Sequence, residues 1–134
     1  MPLSIAQVAL VVREYDEAIA FFTNKLAFEL SEDTPLGDGK RWVIVKPAGT
    51  EGARLLLAKA PHPLRPVPSA TEPAERVFLF LYTDDIWRDF NAMRSRGVKF
   101  LESPRQEPYG TVCVFEDLYS NKWDLLMPAT PALK

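Results

Sequence analysis

Histidine and cysteine each occur once among the 134 residues. Zinc and transition-metal centres need imidazole, thiolate or carboxylate groups converging from several elements, and this chain cannot furnish more than one of each of the first two kinds. The single histidine, His62, stands between Pro61 and Pro63, the setting of a surface loop. The single cysteine, Cys113, has no partner for an internal disulfide, which suits a reducing, cytoplasmic compartment. Its place in an apolar alternating run is that of a small core hydrophobe. Charge of one sign is also missing in excess. Sixteen Lys and Arg oppose 18 Asp and Glu, the signs are interspersed, and there is no basic tract for phosphate contacts, so nucleic acid is not an expected partner. No run approaches the roughly 20 apolar residues of a membrane helix. The apolar start lacks a basic n-region and stops at Arg13 and Glu14, so neither a signal peptide nor a membrane association is expected.

What the chain does contain is a repeat, and internal duplication constrains architecture more than any local motif. Arg76–Phe100 reads as a strand, an acidic turn, an amphipathic helix and a second strand, and Ser4–Leu30 has the same grammar. Overlaid without a gap, Val8–Val12 fall on Leu79–Thr83, Glu14 on Asp85, Ile19 on Phe90 and Phe22 on Met93. The length is that of one domain with a sizeable core.

In chain order, Ile5–Val12 predicts a buried strand. Glu14 and Asp16 open a helix whose apolar positions Ala18, Ile19, Phe22 and Leu26 keep helical spacing, with the acids at the end the dipole favours. Phe28–Ser31 predicts a short strand, Thr34–Gly39 a turn, and 41–46 and 54–59 two further strands. Prolines 61, 63, 66, 68 and 73 make a linker that can hold neither helix nor interior strand. Val77–Tyr82 then predicts a strand, 85–96 a helix stopped by Gly97, and 98–101, 111–115 and 122–127 three strands, the loop between the first two holding Pro104 and Pro108. The expected organisation is a first βαβββ module over 1–59, a Pro-rich linker over 60–75, a second βαβββ module over 76–128 and a tail over 129–134. The fold class is α+β, with the two modules pairing into a curved mixed sheet and the helices on its outer face.

The opening Val-Ala-Leu-Val-Val-Arg-Glu-Tyr-Asp-Glu-Ala-Ile-Ala-Phe-Phe, the Lys-Leu-Ala-Phe-Glu-Leu that follows and the closing Phe-Glu-Asp-Leu-Tyr-Ser-Asn-Lys-Trp-Asp-Leu-Leu resemble the vicinal-oxygen-chelate superfamily. That superfamily includes glyoxalase I, bleomycin-resistance proteins and extradiol dioxygenases. The resemblance covers nearly all of the chain outside the linker and tail. It implies one divalent metal in the cup of the sheet, held by a His early in the first strand of each module and by carboxylates in the last strands. Those positions correspond here to Gln7, Phe78, the run Leu55-Leu56-Leu57 and Asp124, so the metal is not expected and no cofactor is assigned. Ala27 and Ser120 stand where the family commonly has glycine, and Leu118 where it has proline.

Side chains alternate along a strand. If Gln7 and Phe78 face the cup, so do Ala9, Val11, Phe80 and Tyr82. Asp124 brings Lys122 and Leu126 with it and turns Trp123 and Leu125 toward the helices. A cup of aromatics and aliphatics with two polar points suits a small, planar or partly apolar organic molecule. Trp42 and Tyr109 are candidate rim contacts, giving Gln7, Trp42, Phe78, Phe80, Tyr82, Tyr109 and Asp124 as the ligand-binding set. Trp87 reads as packing, and Arg88, Arg94, Arg96 and Lys99 as a solvated face. No Ser, Cys or Lys stands beside a base at nucleophile spacing. Asp124 with Tyr82 is the one acid–base pair on offer. The expectation is a metal-free, glyoxalase/bleomycin-resistance-like binder of a small organic molecule, a homodimer. Its alternatives are a divergent lyase, isomerase or dioxygenase of that superfamily, and a non-catalytic interaction module whose cup is filled by side chains.

Overall fold

The computed structural model describes residues 2–60 and 77–129. The chain divides into two compact units, Met1–Pro66 and Val67–Lys134. The expected linker apart from Ala60, the tail apart from Ala129, and His62 lie outside the described residues. The fold class is α+β, with one mixed sheet and one main helix in each unit.

The first unit runs β1 (Gln7–Val12), α1 (Tyr15–Ala20), a π-helical turn (Phe21–Lys25), β2 (Phe28–Gly37), β3 (Lys40–Pro47) and β4 (Arg54–Lys59). The strands lie in the order β1-β4-β3-β2, with β1 and β4 parallel and the other pairs antiparallel. Leu10, Val12, Val43, Val45, Leu55 and Leu57 alternate onto one face, and all six are buried. Against them lie Ala18, Phe22 and Leu26 from the helical segment. Arg41 ties the same side down: its backbone N–H donates to the Tyr15 hydroxyl at 3.1 Å, and its guanidinium pairs with Asp16 at 2.9 Å and Asp33 at 2.7 Å.

Two sequence expectations change here. β2 continues past Ser31 to Gly37. It is an edge strand, so Pro35, which has no N–H to give, deprives no neighbour of a ladder bond. The turn shrinks to Asp38-Gly39, both at positive φ (56° and 78°), the combination a two-residue type I′ hairpin requires.

The second unit runs β5 (Val77–Tyr82), α2 (Ile86–Ser95), β6 (Lys99–Phe100), β7 (Arg105–Glu107), β8 (Gly110–Glu116) and β9 (Lys122–Pro128). Its order is β5-β9-β8-β6, with β7 also on β8. β6 and β7 pair in turn with Phe115–Glu116 and Gly110–Val112, so they are one strand interrupted around Pro104, and together they repeat β2. That interruption is why β7 was expected to be loop. The helix face of this sheet is an aromatic ladder. Phe90 of α2 meets Phe100 at 4.7 Å, Phe100 meets Phe115 at 5.5 Å, and Phe115 stacks on Trp123 at 5.6 Å. Cys113 is buried in the same layer, and burial pushes its thiol up to about 12. Trp87, expected to pack, is half exposed, touching Phe90 edge-on.

The two helices start in step and end out of step. Glu14 and Asp85 are both N-caps, as the overlay predicts. Asp85 accepts from the Arg88 N–H, whereas Glu14 makes no side-chain cap. From N-cap to C-cap the first segment spans Glu14 to Leu26 and the second Asp85 to Arg96, so the first is one residue longer. The π-helical turn carries the first helix that one residue further, and the connection to the next strand is one residue shorter, so Phe28 and Lys99 open their strands equally far from Glu14 and Asp85. α2 instead ends in a Schellman motif: Val98 N–H donates to Met93 O and Gly97 N–H to Arg94 O, both at 3.0 Å, with Gly97 at φ 96°.

Candidate functional site

In each sheet, strand parity divides the side chains between the helix face and the face opposite it. In the first unit the opposite face carries Gln7, Ala9 and Val11 on β1, Leu56 on β4, and Trp42 and Ile44 on β3. Gln7 and Trp42, the latter expected at the rim, therefore share a face, and both are partly buried. The carboxylate position implied by the resemblance is filled by Leu56, the one leucine of the three that turns away from the helix.

In the second unit Asp124 lies on the corresponding face, between Phe80 of β5 and Val114 of β8 in the register. Lys122 and Leu126 share its side, and Trp123 and Leu125 are buried on the other, as parity predicts. Phe80 and Tyr82 are 58% and 62% exposed, so they do not fill a core. Phe78 departs from expectation. Val77 pairs with Lys122 but Leu79 pairs with Trp123, an irregularity that breaks the alternation. The Phe78 ring instead meets Trp123 edge-on at 6.1 Å, out of the Phe80–Tyr82 stripe. Tyr109 sits in the β7–β8 hairpin turn, half exposed.

Asp124 is the unusual group. It is 7% exposed, and its Oδ1 has no hydrogen-bond partner among the described residues. Tyr82, the expected acid–base partner, therefore does not reach that oxygen. Burial raises the Asp124 pKa, Arg105 opposes the rise, and Glu102 adds to it. Sequence reasoning missed Arg105 and Glu102. Arg105 is ion-paired with Glu102 and, at 2.8 Å, with Glu107. The Arg105–Glu107 alternation was the available signal, masked by the flanking Pro104 and Pro108.

The neighbouring buried acid is built quite differently. Asp117, 6% exposed in the β8–β9 turn, accepts from the backbone N–H groups of Tyr119 (2.8 Å) and Asn121 (3.0 Å), from Asn121 Nδ2 (3.1 Å) and from Trp123 Nε1 (3.0 Å). It is a fully used structural anchor, which makes the unpartnered Asp124 stand out.

The family profile described as Glyoxalase/Bleomycin resistance protein/Dioxygenase superfamily matches residues 4–125. The chain belongs to this superfamily. A relative in Shewanella frigidimarina, described as an uncharacterized protein, is 54% identical over 94% of each chain. Among solved structures, UcmS2 is 27% identical with a TM-score of 0.78, covering 94% of this chain and 98% of its own. TnmS3, described as an antibiotic binding protein from Streptomyces sp. CB03234, is 28% identical with a TM-score of 0.69, covering 96% of this chain and 99% of its own.

The donors here do not fit the superfamily's divalent metal. Its four positions hold an amide (Gln7), a ring turned onto Trp123 (Phe78), an aliphatic (Leu56) and one carboxylate (Asp124). Among the described residues no three His, Cys, Asp or Glu side chains come together as a metal would require. No described helix is long and apolar enough to cross a membrane.

Proposed function

We propose that this superfamily member binds a small organic molecule on the sheet face opposite its helices, with no resident metal. The observation that carries the reading is Asp124, a buried, unpartnered carboxylate flanked by the exposed rings of Phe80 and Tyr82. An unsatisfied buried acceptor is costly to keep, and exposed rings beside it are costly to hydrate, so both are best explained by an occupant. The likeness to TnmS3, an antibiotic binding protein matched over nearly its full length, supports an antibiotic-like ligand class. The working form is a cytoplasmic homodimer. β1 is an end strand of its sheet and carries an exposed apolar side chain, Val11, which a second chain could cover.

One observation favours a second reading, a divergent lyase, isomerase or oxygenase without the usual metal. The proton affinity of Asp124 is raised, which suits a general acid or base. Elemental analysis after incubation with Zn, Ni, Mn and Fe(II), followed by a thermal-shift screen against an antibiotic panel, tests the proposal. The expected result is no stoichiometric metal and at least one stabilising compound whose effect is lost in Phe80→Ala. One metal per subunit would overturn it.

A further inference from the structure

The charges around Asp124 specify what the occupant brings, provided that this face binds a small molecule as proposed above. Besides Asp124, the face and its margin carry Lys99 on β6, Glu102 before β7, Arg105 and Glu107 on β7, Glu116 on β8 and Lys122 on β9. Every cation in that group is taken. Glu116 receives Lys99 at 3.4 Å and Lys122 at 3.5 Å, and Arg105 is held between Glu102 and Glu107. The one acid left over is Asp124, between Phe80 and Val114 in the register, whose Oδ1 has no hydrogen-bond partner among the described residues.

We propose that the ligand carries a protonated nitrogen on or beside a planar ring system, the nitrogen pairing with Asp124 and the ring lying on Phe80 and Tyr82. A cation supplies both things the site lacks, a donor for Oδ1 and a countercharge, and a charge-assisted bond is about twice as strong as a neutral one. The exposed rings next to the carboxylate add the attraction of an aromatic face for a cation. An anionic ligand meets Asp124 and Glu102 together and is repelled. Burial raises the Asp124 pKa, with Arg105 opposing and Glu102 reinforcing, and a proton on the carboxylate competes with the cation. Binding therefore weakens as the solution is made acidic.

Three probes of one shape separate these contributions: 9-aminoacridine (cationic), acridine (neutral at about pH 8) and acridine-9-carboxylate (anionic). Each is titrated by fluorescence into the full-length protein, its Asp124→Asn variant and its Phe80→Ala variant. The expected result is that 9-aminoacridine binds the parent about tenfold more tightly than acridine, or better, and the carboxylate most weakly. Asp124→Asn should erase the difference between cation and neutral ring, and a thermal melt of the variant checks that it is folded. In the parent alone, the affinity for 9-aminoacridine should fall from about pH 8 to about pH 5. Acridine binding sensitive to Phe80→Ala but with no cation preference, or a preference that survives Asp124→Asn, would overturn the charge assignment and leave the small-molecule reading standing. Binding of none of the three would overturn both.

Discussion

Replacing Asp117 with alanine should be among the most destabilising single changes available outside the hydrophobic core. Its carboxylate accepts four N–H groups at 2.8–3.1 Å. The loss is not four times a full hydrogen bond. The Tyr119 and Asn121 donors are only part-buried, and water can replace much of what they lose. Trp123 Nε1 is buried, and leaving it without an acceptor costs about 1–3 kcal/mol by itself. A total of about 3–4 kcal/mol follows, and at about 4 °C per kcal/mol for a chain of this size Tm should fall by roughly 10–15 °C. Asp117→Asn keeps one acceptor oxygen and should fall about halfway between. Thermal melts followed by near-ultraviolet circular dichroism would also register Trp123, which loses the anchor of its stack on Phe115. An alanine variant melting within about 3 °C of the parent would show that solvent replaces these bonds without loss, and the reasoning would be wrong.

Ala27 and Ser120 hold left-handed backbone at φ 59° and 66°. Relief of about 1–2 kcal/mol of strain against about 0.5–1 kcal/mol of glycine entropy predicts that Ala27→Gly and Ser120→Gly each stabilise by about 0.5–1 kcal/mol. Lying in different units, their gains should add in a denaturant series. Gly110 is the opposite case: at φ 152° an added Cβ would sit 2.3 Å from the Met127 carbonyl oxygen. Gly110→Ala should cost about 3 kcal/mol or more, read as a lower urea midpoint. Asp124 makes stability pH-dependent in a definite direction. Its pKa is raised by burial, so the stabilisation from its proton is fully present below the ordinary carboxylate value and lost as pH rises through the raised one. Asp124→Asn should therefore gain on the parent as pH rises above the ordinary carboxylate range, and equal slopes for the two proteins would contradict this.

The parts of the fold visible in the sequence are those set by local chemistry. Glu14 and Asp85 mark both helix starts because acids gather where the backbone N–H groups are free, and Asp38-Gly39 marks a hairpin because the pair tolerates positive φ. The parity of Asp124, Trp123 and Leu125 held because β9 is regular through that stretch. Parity failed at Phe78, where the pairing slips by one residue, and no residue type there announces the slip. Proline misled in both directions: Pro35 is harmless at an edge, and Pro104 merely interrupts a strand that resumes. Arg105 and Glu102 reach the neighbourhood of Asp124 only through that resumed pairing, so their part in the site was invisible along the chain.

The wide turn at Phe21–Lys25 bears on how a doubled protein can age. One residue added to a regular helix rotates everything after it by about 100°, which would swing Leu26 and Phe28 out of the layer they now fill. No such addition has occurred here: Phe28 opens β2 as far from Glu14 as Lys99 opens β6 from Asp85. The same length of chain is spent differently in the two halves, on a wider last turn in the first and on a longer connection after Gly97 in the second. Two copies that began alike can thus exchange helix for loop, residue for residue, while every strand keeps its place in its sheet.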